Sequence, residues 1–116
     1  MMSYEYLNAI IKIGLNAKNN WELLDESNNN DLWFHLDNYP SCYVIVSINK
    51  NKKYIDSIIN YACKLCYVYS KKKVPESKKA VCVCYTKCKN VIKGKTVGEA
   101  ILLKKPKRII YNIEEM

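Results

Sequence analysis

Residues 54–70 read Tyr-Ile-Asp-Ser-Ile-Ile-Asn-Tyr-Ala-Cys-Lys-Leu-Cys-Tyr-Val-Tyr-Ser, and this stretch decides the fold. Ile55, Ile58, Ile59, Ala62, Leu65, Cys66 and Tyr69 recur at three- and four-residue steps, the spacing of one apolar stripe on an α-helix. The spacing predicts one long helix over 54–70 that packs its stripe on a sheet. Lys71, Lys72 and Lys73 close it at the negative end of the helix dipole, and Pro75 prevents its continuation.

On either side the pattern changes to period two. Leu32, Phe34 and Leu36 alternate with Trp33, His35 and Asp37, which predicts a half-buried strand. Asn38-Tyr39-Pro40-Ser41 is turn chemistry, and Cys42 to Ile48 follows as a strand with Val44, Val46 and Ile48 on one face. The apolar run from Tyr4 to Ile13 reads as one strand ending at Gly14. A short helix is expected from Asn16, its N-cap, to Leu24, with a loop over 25–30. Ala80 to Thr86 is a strand; Ala100 to Lys104 and Lys107 to Ile113 are expected to form a hairpin turning at Lys105-Pro106. The expected fold class is α+β: a mostly antiparallel sheet, one long helix on a face and a short helix near the N-terminus.

The chain has 116 residues, enough for one core, so 1–116 is expected to be a single domain. No apolar stretch approaches the roughly 20 residues of a membrane span. The start, Met-Met-Ser-Tyr-Glu-Tyr, lacks the layout of a secretory signal. A cytoplasmic protein with no membrane partner and no disulfide framework is therefore expected. Three Gly and three Pro among dispersed apolar residues argue against disorder.

The formal net charge is +8, and its distribution says more than its total. Residues 1–58 hold five basic and seven acidic groups, whereas 59–116 hold 14 and four. Drift toward A/T-rich codons would enrich lysine in both halves, so it leaves this polarity unexplained. Lys87, Lys89, Lys93, Lys95, Lys104, Lys105, Lys107 and Arg108 share their segment with one acid, Glu99. A loop and hairpin can present such cations as one continuous face to a polyanion. The plain alternative is a solvated surface. Lysine grips phosphate as a point charge and does not fork onto base edges, so little sequence preference is expected. Trp33, His35 and Tyr43 offer stacking rings on the strand face opposite Phe34, although Trp33 suits a core equally well.

Catalytic and metal chemistry find little support. Cys63 and Cys66 sit one helical turn apart, and Cys82, Cys84 and Cys88 lie on or just beyond a strand. Two such pairs could build a tetrahedral zinc site, but they lack knuckle loops and suit buried thiols better. His35 is the sole histidine, with no paired carboxylates, nucleophile elbow or phosphate-cradling glycine loop beside it. No enzyme activity, metal or cofactor is expected.

Asp31-Leu32-Trp33-Phe34-His35 resembles the NFACT RNA-binding domain (NFACT-R), the module carried by ribosome quality-control proteins of the NEMF and RqcH type and also found alone. Gly14-Leu15-Asn16-Ala17-Lys18-Asn19-Asn20 is similar to the family's Gly-Arg-Asn-Ala-Xaa-Xaa-Asn turn. Pro40-Ser41-Cys42-Tyr43-Val44 occupies the place of Pro-Gly-Ser-His-Val. Tyr85-Thr86, Lys89-Asn90-Val91 and Gly98 follow in the family's order. The resemblance implies a non-catalytic RNA-binding module for tRNA or ribosomal RNA, linked in the larger proteins to stalled large subunits. Leu15 stands where the family has Arg, and Tyr43 where it has His. These departures bear on ribosome-specific recognition more than on generic nucleic-acid binding. The expected contacts are Asn16, Lys18, His35, Tyr43 and Asn90 along an edge, with Lys71, Lys72, Lys73, Lys87, Lys89, Lys93, Lys95, Lys105, Lys107 and Arg108 on phosphates. The alternatives are DNA as the ligand, or a protein-interaction module docking an acidic partner; the sequence does not set the oligomeric state.

Overall fold

The structure is a computed structural model that describes residues 2–48 and 55–113. Six strands form one antiparallel sheet: β1 (Met2–Tyr6), β2 (Ala9–Ile13), β3 (Leu32–Leu36), β4 (Val44–Ile48), β5 (Ala80–Lys87) and β8 (Lys107–Asn112). Their spatial order is β1-β2-β4-β3-β5-β8. A second, two-stranded sheet pairs β6 (Val91–Lys93) with β7 (Ala100–Leu102). Helix α1 spans Ala17–Glu26 and α2 spans Ile55–Val68. The α+β architecture thus follows the reading of the periodicity. Tyr54, expected to open the long helix, lies outside the described residues. No helix among the described residues is long and apolar enough to cross a membrane.

The stripe on α2 does what its spacing dictates. Ile58, Ala62, Leu65 and Cys66 are buried against Ile11, Ile13, Phe34, Leu36, Val44, Val46 and Val83. Register explains this set. Phe34 pairs with Val44 and Tyr85, and Ile13 and Ile11 pair with Val44 and Val46, so these alternate positions share the helix-facing side.

Three expectations are corrected. Tyr4 to Ile13 is two strands, because Leu7 and Asn8 adopt φ of 48° and 67° and fold the chain into a two-residue hairpin turn. The expected 100–113 hairpin does not form. Leu103 donates its N–H to the Asn90 carbonyl at 2.7 Å, which ties β7 to β6, and the chain then crosses to pair β8 with β5. The strand β3 is buried on both faces: Trp33 is 2 % exposed, within a second apolar cluster with Leu23, Tyr43, Ile45, Cys84, Cys88 and Val91. That cluster is built by α1 and the β6–β7 arm closing over the sheet face opposite α2.

Two contacts pin the arm. Trp21 Nε1 donates to the Glu99 carbonyl at 3.1 Å, and the Tyr43 hydroxyl donates to the Gly98 carbonyl at 2.7 Å. Gly98 has φ of +91°, and a Cβ there would lie 2.7 Å from that of Ala17, so only glycine lets the arm's tip meet α1.

Candidate nucleic-acid interface

The helix-start motif is a lock. The side-chain oxygen of Asn16 accepts the Asn19 N–H at 2.8 Å and caps α1. Buried Asn20 accepts the Tyr43 N–H at 3.1 Å, and Gly14 donates to the Tyr43 carbonyl at 3.0 Å. A Cβ on Gly14 would fall 2.1 Å from the Asn20 side-chain oxygen. The Gly14 and Asn20 positions therefore join the end of β2, the start of β4 and the start of α1 at one corner of the sheet.

That corner holds an open cleft of about 410 Å³. Its walls come from five separated segments: 14–17 with Asn20, His35, 40–42, the end of α2 at Tyr69 and Ser70 with Lys73, and the arm's tip at Val97 and Gly98. Lys73 belongs to a 3-10 turn, Lys71–Lys73, that follows α2, so Lys71 and Lys72 are exposed beside it. Among the described residues no ion pair engages these three lysines. Exposed Lys18 follows Ala17 in the first turn of α1, and exposed Lys95 precedes Val97 in the arm's turn. The apolar Leu15, 50 % exposed, forms part of the cleft wall.

The aromatic residues behave otherwise than the sequence suggests. Trp33 and His35 stack on each other, with ring centroids 5.4 Å apart and planes 9° apart. Tyr43 meets both edge-on, at 5.3 Å and 5.9 Å. Its side chain is 0 % exposed, so it offers no stacking face, which corrects the expected contact; burial pushes its hydroxyl pKa up to about 12. His35 alone of the three reaches the cleft. Burial lowers its pKa below the ordinary histidine value, against a backbone hydrogen bond at Leu36 and the nearby charge of Asp37, so it is neutral at pH 7.

The cations of 87–108 do not converge on this cleft as one face. Lys87 lies at the far end of β5, and Lys107 pairs with Tyr85 close by. Lys89 donates its backbone N–H to Asn29 in the same region. Lys87, Lys89, Lys105 and Lys107 thus gather at the opposite end of β5, a strand eight residues long and so roughly 23 Å in extent. Two further cations are neutralised by acids of the N-terminal half. Lys93 pairs with Asp25 at 2.7 Å and sits 5.3 Å from the Trp21 ring centroid. Arg108 pairs with Asp37 at 2.7 Å. Burial would raise the Asp37 pKa, yet the Arg108 contact and hydrogen bonds from Cys82 and Cys84 hold it below the ordinary value. Asn90 is engaged locally, its amide donating to Thr86 at 3.2 Å and its carbonyl accepting from Leu103.

The two cysteine groups lie on opposite sides of the sheet. Cys63 and Cys66 belong to the core under α2, whereas Cys84 and Cys88 belong to the cluster beneath the arm. Among the described residues no three His, Cys, Asp or Glu side chains form a group that could hold a metal.

Sequence reasoning missed Ser41, Cys42, Tyr69 and Ser70 as cleft residues. The one signal for the first two was their place in the Pro40-Ser41-Cys42 motif; nothing in the helical stripe marks its last turn as a cleft wall.

A lysine-rimmed cleft at one corner of an antiparallel sheet is suited to hold the phosphates of a nucleic acid. The chain belongs to the NFACT protein RNA binding domain family, whose match covers residues 2–104. Its fold is similar to that of a solved structure, the C-terminal part of the fibronectin/fibrinogen-binding protein from Streptococcus suis. The TM-score is 0.80 at 24 % identity, over 97 % of this chain and 45 % of that one. This chain therefore spans less than half of that solved chain. No curated protein matches.

Proposed function

We propose that this domain binds structured RNA, tRNA or ribosomal RNA, in the cytoplasm and in the service of translation, and that the corner cleft is its principal contact. One observation carries this reading: five separated segments, four of them carrying family motif residues, meet around a single cleft whose rim bears exposed lysines that no ion pair engages among the described residues. A cleft of about 410 Å³ has room for a nucleotide-sized group. Lys18, Lys71, Lys72, Lys73 and Lys95 hold phosphates around it. Asn16 and Ser41 are short polar side chains of the lining, of the size that contacts a ribose 2′-hydroxyl, which favours RNA over DNA. The cations at the far end of β5 act as a secondary, weaker phosphate contact.

A binding titration against salt tests this. Five phosphate contacts on a duplex should cost roughly 500-fold in affinity between about 50 and 200 mM salt. A flat salt response rejects phosphate-led binding. A DNA duplex of equal length that competes as well as tRNA rejects the preference for RNA.

A further inference from the structure

We propose that Cys42 and Cys66 form a peroxide-sensitive dithiol in the cleft wall, Cys42 being the attacking thiol and Cys66 the resolving one. Cys42 is half-buried and lines the cleft, so a small oxidant can reach it; Cys66 lies fully buried directly behind it. The two are joined by a compact network. The Ser70 hydroxyl lies 3.4 Å from the Cys42 sulfur, the Ser41 hydroxyl lies 3.5 Å from the Cys66 sulfur, and the two hydroxyls are 3.4 Å apart. In its protonated form the Cys42 thiol donates to the Cys66 backbone carbonyl at 3.6 Å. The Cys42 backbone N–H donates to Ser70 at 3.0 Å, which holds the start of β4 against the end of α2. Both thiols thus belong to one side-chain network where the start of β4 adjoins the end of α2.

The surroundings set Cys42 apart from the other five thiols. Donation from the Cys66 S–H holds its pKa below the ordinary thiol value against the opposing effect of burial, and Ser70 and Ser41 add to that donation. Cys63 and Cys84 are pushed up to about 12 and Cys88 to about 11, each chiefly by burial. Cys82 is accessible too, but burial and then Asp37 raise its pKa, so it serves as an internal reference.

In the first step the Cys42 thiolate gives an electron pair to one oxygen of hydrogen peroxide. The O–O bond breaks, sulfur is oxidised to a sulfenic acid and peroxide is reduced, leaving as hydroxide that takes up the proton released by the Cys42 thiol and becomes water. In the second step the Cys66 sulfur attacks the Cys42 sulfur. The S–O bond breaks, and the hydroxyl leaves as water with the Cys66 proton, giving one disulfide. A transient bond of this kind is the form expected of a thiol pair in a reducing compartment.

The test treats the full reduced chain with hydrogen peroxide, blocks remaining thiols by alkylation and maps the peptides by mass. The expected result is joint loss of alkylation at Cys42 and Cys66, an intramolecular peptide pair joined through them, and its reversal by dithiothreitol. Cys42 should be consumed roughly tenfold or more faster than Cys82. In Cys66→Ser, dimedone should trap a sulfenic acid on Cys42; in Cys42→Ser, neither product should form. Oxidation of Cys82 at the same rate as Cys42, or Cys42 found linked only between two chains, overturns the proposal. The wild-type map gives this answer even should a variant fold poorly.

Discussion

Replacing Lys71, Lys72 and Lys73 together by glutamate is expected to lower affinity for structured RNA at about 0.1 M salt by roughly 500-fold or more. The size follows from counterion release. Each lysine on a duplex phosphate releases about 0.9 of a counterion, worth roughly a factor of eight at that salt, and three contacts multiply. Reversed charge adds repulsion to the loss. The salt dependence should flatten in parallel, its log–log slope falling by about three units. The three residues are exposed in a 3-10 turn, so the fold should stand. The matched control reverses Lys87, Lys105 and Lys107 at the far end of β5, and should cost clearly less. Equal losses from the two triple variants, read in the same titration, would place the contact along the whole surface rather than at the corner.

Trp33→Ala is expected to destabilise the fold by about 3–5 kcal/mol, measured by denaturant unfolding. The side chain is 2 % exposed and stacks on His35, with Tyr43 against its edge. Truncation would leave a large cavity beneath α1 and the arm, and would loosen the Tyr43 ring whose hydroxyl holds Gly98 at the arm's tip. Any RNA effect should therefore follow from the arm lifting off the cleft. A variant that kept full stability and lost RNA affinity would instead make Trp33 a stacking platform. The Trp33 indole N–H is buried without a hydrogen-bond partner among the described residues. Its contribution to stability thus comes from packing and ring contacts.

The burial of Trp33 shows where the sequence stops being informative. Alternation along 32–37 fixes which residues share a face, and Phe34 and Leu36 duly lie under α2. Alternation says nothing about whether the other face is covered, because the cover comes from α1 and from an arm some 60 residues later. That arm was hard to see for a physical reason. Val91–Lys93 and Ala100–Leu102 are three residues each and sit among lysines, too short for any period to emerge. Proximity in the chain then favoured pairing 100–104 with 107–113, whereas the Leu103 to Asn90 hydrogen bond directs the pairing elsewhere. The Leu7-Asn8 turn was hidden likewise, inside an apolar run with neither Gly nor Pro.

The long helix and its stripe, the Asn16 cap and the strands β3 to β5 were legible because each has a local cause. The cleft was legible only through the family motifs, and then without their division of labour. Gly14, Asn20 and Gly98 build the corner, while Asn16, His35 and Lys73 face into it. Charge counting grouped the cations of 87–108 as one face, whereas the structure separates them. It could not register that Lys93 and Arg108 are matched to Asp25 and Asp37, about 70 residues away in sequence.

Photocrosslinking of the domain to tRNA, followed by mass mapping of the joined peptides, tests most directly whether the corner cleft is the RNA contact. Crosslinks should concentrate in the peptides that carry Gly14 to Asn20 and Lys71 to Lys73, with the arm's tip around Lys95 to Gly98 joining them. Crosslinks confined to Lys87, Lys89 and the Lys104 to Lys107 stretch, with the corner silent, would contradict it.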